Sequence, residues 1–373
     1  MKKQITKVSI VICVALVMVL VTAGSGFAGS SSSSSSESEI TITMTGDLMC
    51  DTKFQKYLYD EESKTFDFDG TFKYVKEIFK DSDFTVGNLE TCVAPSKALS
   101  RDLHFKNNQP YMNAPRKFLR ALKRAGFDGF ILANNHTLDT GTSGIKETLQ
   151  SIDDLGLKHT GLYTSSKDKR YFILKKNGIK VAFLAYATHY NYRDYSLTVN
   201  DQKRMLAKFS QANIKADVKA ARKAGAQYII AYMHAGSENT YKVSDQQKTM
   251  ANALAKAGVD FIVGSHPHWV QRKATYHDGD KKVPTIYSMG NFTGKLRSAK
   301  TRETVILTVT LKKDSNGNVS LKKKKYTPVY MMTKWNGGKM VLLPEGYKCK
   351  TKKNQDKIDS HFEHIRKVLN NEN

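Results

Sequence analysis

From residue 40 onward the chain alternates short apolar runs, rich in β-branched and aromatic residues, with stretches whose apolar positions recur every three to four residues. The short runs, at residues 40–44, 83–86, 130–133, 181–186, 228–232, 261–263 and 284–288, predict buried strands. The helical spacing predicts helices over residues 72–79, 115–125, 213–224 and 245–257. Pro115 suits the opening of a helix, and Gly126, Gly225 and Gly258 each follow an alanine where a left-handed cap ends one. Strands and helices alternating at this length predict an α/β layered fold with helices covering the sheet faces. The tail changes pattern. Residues 304–310 alternate like an antiparallel strand, residues 314–318 carry an Asn-Gly turn, and residues 322–325 are four lysines on the returning arm. Residues 357–369 are spaced as an amphipathic helix.

Six of the predicted strands run into polar residues. These are Asp47; Asn88 and Glu90; Asn135, His136 and Asp139; His234 and Glu238; His266 and His268; and Asn291. Open α/β sheets bind ligands beyond the carboxyl ends of their strands. If these strands share a sheet, the polar residues converge on one edge. Carboxylates, amides and imidazoles without a thiolate suit a divalent metal such as Zn, Mn or Fe and disfavour soft-metal or iron–sulfur chemistry. Two ions bridged by a carboxylate would activate water and clamp a phosphoryl or acyl oxygen. His136, next to the amide of Asn135, suits the acid that protonates the leaving group. A single histidine in such a place reads more readily as a hydrogen-bonded core residue, and Asp47, Asn88 and Asn291 taken alone read as turn or cap residues. Four of the ten histidines at the ends of three strands outweigh that reading, and His266-Pro267-His268 is the most specific element.

Charge and leader add a location. The 373 residues carry 59 Lys+Arg against 35 Asp+Glu, a formal net charge of +24. Removing Lys2, Lys3 and Lys7, the charged residues of the first 36, leaves +21. Such a surface attracts polyanions. A basic head, an apolar run over residues 8–23 and small residues near 26–28 form a signal-peptide pattern, with an uncleaved anchor as the alternative. Residues 1–28 are thus a signal peptide or membrane anchor and residues 29–39 a Ser-rich linker, which places the working domain outside the cytoplasm. Across residues 311–353 there are 12 Lys and 2 acids. A solvated hairpin arm is the plain reading of that segment, and capture of an anionic envelope polymer the functional one. No nucleic-acid motif accompanies the lysines. Neither a nucleophile elbow nor a phosphate-binding glycine loop occurs. Four cysteines exclude a disulfide scaffold, while Cys50 and Cys92 could pair in an oxidising compartment.

Gly46-Asp47-Leu48-Met49, Gly87-Asn88-Leu89-Glu90, Ala133-Asn134-Asn135-His136 with Asp139, His234-Ala235-Gly236-Ser237-Glu238, Gly264-Ser265-His266-Pro267-His268 and Ser288-Met289-Gly290-Asn291-Phe292 follow one another in a distinctive order. Together they resemble the CapA family of poly-γ-glutamate capsule biosynthesis proteins. The resemblance implies a four-layer α/β/β/α sandwich similar to calcineurin-like metallophosphoesterases, over residues 40–335, with residues 336–373 a basic C-terminal extension. It implies metal-ligand roles for Asp47, Asn88 or Glu90, Asn135, His234, His266 and His268. His136 and Asp139 would then serve catalysis, and Glu238 and Asn291 would face the substrate. Met49 stands where those phosphoesterases carry a second histidine ligand, and Asn88 where they carry a bridging Asp, so Glu90 would have to bridge. The implied partners are poly-γ-glutamate or a similar anionic polymer and membrane-bound capsule-synthesis proteins.

Overall fold

A computed structural model describes residues 37–296, 298–335 and 338–371, and the leader assigned to residues 1–28, with most of the Ser-rich linker, lies outside them. Among the described residues the long strands form two sheets. The first runs Gly338–Pro344, Val319–Trp335, Glu303–Lys313, Ser38–Leu48, Phe84–Asn88, Gly129–Ile131 and Lys158–Thr160, with Asn291–Thr293 added beside the end of Ser38–Leu48. The second runs Val270–Asp278, Lys281–Met289, Phe261–Ser265, Tyr228–His234, Ile179–Ala187 and Phe172–Lys176.

Side-chain parity explains why the sheets stack. Along Ile179–Ala187, Val181, Phe183 and Ala185 enter the core between the sheets, while Ala182, Leu184 and Tyr186 turn to the outer face. Tyr228–His234 divides in the same way, with Ile230 and Tyr232 inward and Ile229, Ala231 and Met233 outward. The Tyr232 hydroxyl reaches the other sheet, 3.4 Å from the carbonyl oxygens of Thr45 and Val86. Strands apolar on both faces need a cover on each side.

Helices provide it. Ile214, Val218 and Ala221 of Gln211–Lys223 and Met250, Ala251 and Leu254 of Asp245–Lys256 cover the outer face of the second sheet. Phe118, Leu119 and Leu122 of Arg116–Ala125 and Ile145, Leu149 and Ile152 of Gly141–Asp153 pack into the core of the first. The layers are α/β/β/α. Each fully buried aliphatic or aromatic side chain in them is worth about 1.5–3 kcal/mol over exposure.

Helix ends follow the chemistry of their residues. Gly126 lies at φ +118° and its N–H caps the carbonyls of Leu122 and Lys123. Ser244 and Gln247 close a reciprocal capping box before Asp245–Lys256. Pro115 sits one place earlier than expected, as the extended N-cap residue. The helix expected at 72–79 is instead a 3₁₀ turn, Asp69–Phe72, and a short helix, Lys76–Lys80.

The strands that carry the polar ends do not share one sheet. Ser38–Leu48, Phe84–Asn88 and Gly129–Ile131 are parallel neighbours in the first, and Tyr228–His234 and Phe261–Ser265 are parallel neighbours in the second. Their carboxyl ends meet across the cleft between the sheets. In the tail, the Glu303–Lys313 strand pairs antiparallel with both Ser38–Leu48 and Val319–Trp335. Gly338–Pro344 adds an edge strand, and the helix Lys352–Asn370 lays Ile358 and Phe362 against Tyr330, Met332, Val341 and Leu343. Among the described residues no helix is long and apolar enough to cross a membrane.

Candidate metal centre

The first sheet delivers carboxylates. The Ser38–Leu48 strand carries Asp47 into the cleft through an irregularity between Thr45 and Asp47. Gly46 makes that path available, because a Cβ there would collide with the carbonyl oxygen of Gly290. Asp47 is fully buried; its Oδ1 accepts from Asn88 Nδ2 at 2.8 Å and its Oδ2 from the backbone N–H of His266 at 3.2 Å. Glu90 follows two residues beyond Asn88, also fully buried, and neither of its oxygens has a hydrogen-bond partner among the described residues.

The second sheet delivers imidazoles. Inward parity along Tyr228–His234 puts His234 in the cleft, where Nδ1 lies 2.9 Å from Ser265 Oγ and Nε2 2.9 Å from Asn135 Oδ1. His266 and His268 flank Pro267 with φ of +96° and +61°. Left-handed backbone in such residues costs on the order of 1–3 kcal/mol and persists where surrounding structure enforces it. Here it turns two alternate rings into one cleft, with centroids 6.0 Å apart and His266 4.7 Å from His234. His268 Nδ1 is 2.9 Å from Asn291 Oδ1.

Two triads emerge, Glu90–His234–His266 and Asp47–Glu90–His268, each with ligand atoms within 4.8 Å of one another. They share Glu90. The donors fit a pair of divalent cations: carboxylate oxygens and imidazole nitrogens, an unpartnered buried carboxylate, and an unpartnered Nδ1 on His266.

The electrostatics of these groups points the same way. Burial pushes Glu90 well above the usual carboxylate range, and the charges of Asp47 and Glu238 push it further. Burial also raises Asp47, against the pull of His268 and Asn88. His234 and His266 are held well below the usual imidazole value, first by burial and then by neighbouring imidazoles. His268 is raised: burial opposes its charge, but Glu238, Asp47 and Asn291 outweigh that. These directions follow from ionisable groups crowded together out of water.

Several residues expected at the centre stand one layer behind it. Asn88 gives its amide to Asp47 and turns its oxygen to Asn134 Nδ2 at 3.2 Å, so it orients Asp47 instead of offering an oxygen to a cation. Asn291 is fully buried; its Oδ1 supports His268, and its Nδ2 has no hydrogen-bond partner among the described residues. Such partners fix the tautomer and direction of ligating rings. Asp139 is likewise buried behind His136: Oδ2 takes His136 Nδ1 at 2.7 Å and Met112 N–H at 2.6 Å, and Oδ1 faces Arg193 Nε at 2.9 Å. It is a positioning residue, and His136 is the member of the pair that can present Nε2 to a ligand. Glu238 stays at the rim, half exposed and 3.8 Å from His268 Nε2, with its carboxyl lowered to about 2 chiefly by His268. Asn135 meets His234 directly. Met49 is buried alongside Gly294. Cys50 and Cys92 do not pair; both are buried free thiols, and Cys92 Sγ donates to the His136 carbonyl at 3.3 Å.

One segment was not expected. After Ile179–Ala187 the chain sets His189 4.6 Å from His266, Asn191 Oδ1 3.1 Å from Asn135 Nδ2, and Arg193 on Asp139. His189 stands three residues beyond the predicted strand 181–186, close to the placement that marks the other site residues. Arg193 lies in a 3₁₀ turn that no strand pattern announces.

The model of the family "Bacterial capsule synthesis protein PGA_cap" matches residues 41–295, a span that includes both triads. The chain belongs to this family. This PGA_cap protein is 32% identical over 232 residues to the capsule biosynthesis protein CapA of Bacillus anthracis, covering 60% of this chain and 53% of that one. It is 28% identical over 264 residues to the PGA biosynthesis protein CapA of Bacillus subtilis (strain 168), covering 67% and 63%. The chain therefore spans less than two thirds of the length of these curated relatives. Among solved structures it is similar to the calcineurin-like phosphoesterase YfkN of Bacillus subtilis, with a TM-score of 0.48 and 14% identity over 89% of this chain and 100% of that one. The NAD nucleotidase NadN of Haemophilus influenzae gives a TM-score of 0.48 and 15% identity over 87% and 62%.

Proposed function

We propose that this PGA_cap protein works at the cell envelope in the biosynthesis or export of poly-γ-glutamate or a related anionic polymer, as a metal-dependent hydrolase or transferase. The observation that carries the catalytic reading is Glu90, a fully buried carboxylate with neither oxygen hydrogen-bonded to a donor among the described residues, common to two candidate ligand triads. The polymer is taken from the relatives' names, and the net charge of +21 beyond the leader supports it.

Glu90, His234 and His266 would hold one divalent cation and Asp47, Glu90 and His268 a second, with Asn135 beside His234. When bound, such a pair supplies Lewis-acid polarisation of an acyl or phosphoryl oxygen and a more acidic water. His136 gives its Nδ1 hydrogen to Asp139, so its Nε2 is the atom placed to hold a proton for a leaving group. Arg193 and the Met112 N–H keep Asp139 aimed at that ring. His189, half-buried against His266, adds a second imidazole on the approach side. Membrane-bound capsule-synthesis proteins are the expected partners.

A purified chain should contain a transition metal, and His266→Ala and His268→Ala should remove it and abolish polymer production in cells. Metal-free protein whose variants still support polymer production would overturn the catalytic reading.

A non-catalytic reading, in which the basic surface guides the polymer, is favoured by residues 322–325. All four lysines are exposed on the Val319–Trp335 strand, and Lys322 is ion-paired with Glu39 at 2.5 Å. Salt-dependent polyglutamate binding that survives loss of the metal ligands but not charge reversal at these lysines would establish it.

A further inference from the structure

A cavity of about 180 Å³, linked to the metal centre through the chain, is lined by Lys53, His104, Tyr111, Met112, Lys295 and Leu296, with Asp51, Thr52 and Pro110 completing its wall. Three short links tie it to the centre. Asp51 is four residues beyond Asp47, and Lys295 is four residues beyond Asn291. The Met112 N–H bonds Asp139, the residue that orients His136.

The charges of this cavity are unequally satisfied. Asp51, its one carboxylate, is fully engaged: Oδ1 accepts from the backbone N–H groups of Lys53 and Phe54, and Oδ2 from that of Lys295 at 2.5 Å. The ammonium groups have no such partner. Among the described residues neither Lys53 nor Lys295 forms an ion pair, and the Lys295 ammonium has only the face of Tyr57, 5.1 Å from its centroid. His104 adds a third polar group. The single hydrogen of the Thr52 hydroxyl goes to the Ser100 carbonyl at 2.7 Å, so His104 Nδ1, 2.8 Å from that hydroxyl, is the donor and Nε2 is left free of this bond. The floor between these groups is apolar, from Tyr111, Met112 and Leu296. Two ammonium groups without an ion pair among the described residues, over an apolar floor, match a carboxylate flanked by methylene groups more closely than a compact, fully polar phosphate.

We propose that this cavity is a carboxylate subsite, which takes one acidic side group of the polymer while the neighbouring stretch of polymer lies over the metal centre. The assignment rests on the anionic-polymer reading above and adds to it where the polymer is gripped. Neither lysine belongs to the metal triads, so their removal leaves the metal content intact.

The test uses the purified full chain, a synthetic γ-glutamyl oligomer, and glutarate and inorganic phosphate as small probes, with binding followed by calorimetry. Three proteins are compared: the parent, a Lys53→Gln/Lys295→Gln double variant, and a variant with all four lysines of residues 322–325 changed to Gln. The expected result is oligomer binding weakened about tenfold or more in the double variant at unchanged metal content, with glutarate displacing the oligomer better than phosphate does. A double variant that binds like the parent overturns the subsite, as does phosphate competing as well as glutarate. Loss of oligomer binding only in the 322–325 variant removes the subsite and leaves the polymer reading standing. Binding of glutarate that depends on Lys53 and Lys295, with no binding of the oligomer, keeps the subsite and removes the polymer reading.

Discussion

The Glu90 carboxylate lies 3.8 Å from His234 Nε2, although the two residues are 144 positions apart and belong to different sheets. That approach joins the acid-bearing edge to the imidazole-bearing edge, and the consequences for metal binding run through it.

Glu90→Gln keeps the shape of the side chain and removes the shared charge. Metal content by elemental analysis should fall at both triads together, because Glu90 belongs to each. The rise in melting temperature that metal gives the parent should disappear in the variant. Full loading of the variant would show that Glu90 is not shared.

With the metal chelated, the buried carboxylates should lose their contribution to stability as pH rises above the ordinary carboxylate range. Glu90 and Asp47 are raised by burial, so each favours folding while protonated and loses that contribution as pH climbs through its folded value. His234 and His266 are lowered, again first by burial, so their contribution has the opposite sign: it is present above their usual value and lost as pH falls through the folded one. Metal uptake should release protons on the acid side and cancel the carboxylate loss. Melting curves with a chelator, for the parent and for Glu90→Gln, separate the two signs: a variant whose stability falls with rising pH as steeply as the parent's would falsify the Glu90 contribution.

Arg193→Ala should leave the metal bound and lower turnover by about ten- to a hundredfold, since it touches no triad and acts on His136 only through Asp139. Asp139→Asn should act in the same direction. A change in metal content with unaltered turnover would contradict the relay.

The C-terminal helix should be tied down by one buried carboxylate. Glu303 accepts from His361 Nδ1 and His364 Nδ1, both at 2.6 Å, and is only 2% exposed. Glu303→Gln cannot accept twice in the same way and should cost about 1–3 kcal/mol in urea unfolding. Amide exchange should quicken along Lys352–Asn370 ahead of the sheets. Uniform loss of protection would mean the clamp stabilises the whole fold.

Much of the architecture is legible in local pattern. Continuous apolar runs mark Tyr228–His234 and Phe261–Ser265, and Gly126, Gly225 and Gly258 stop their helices with φ of +118°, +89° and +95°. These are local properties of a few residues, and they leave the same trace in any sequence. The polar strand ends are legible for the same reason. The His189–Arg193 segment is harder to read, because Arg193 earns its role from Asp139, 54 positions earlier. The difference between ligand and support is also hidden: Asn88 has the right chemistry and spacing, but its partner Asn134 turns its oxygen away.

By itself the amino-acid sequence determined which residues could do chemistry and that they would gather at strand ends, because hydrophobic periodicity and donor type are carried by each short segment. Tertiary structure alone decided that the ends belong to two facing sheets, that Asn88 turns its oxygen to Asn134, and that Asp139 stands behind His136. Those outcomes depend on distances and desolvation set by packing, which brings together segments far apart along the chain and leaves water out between them.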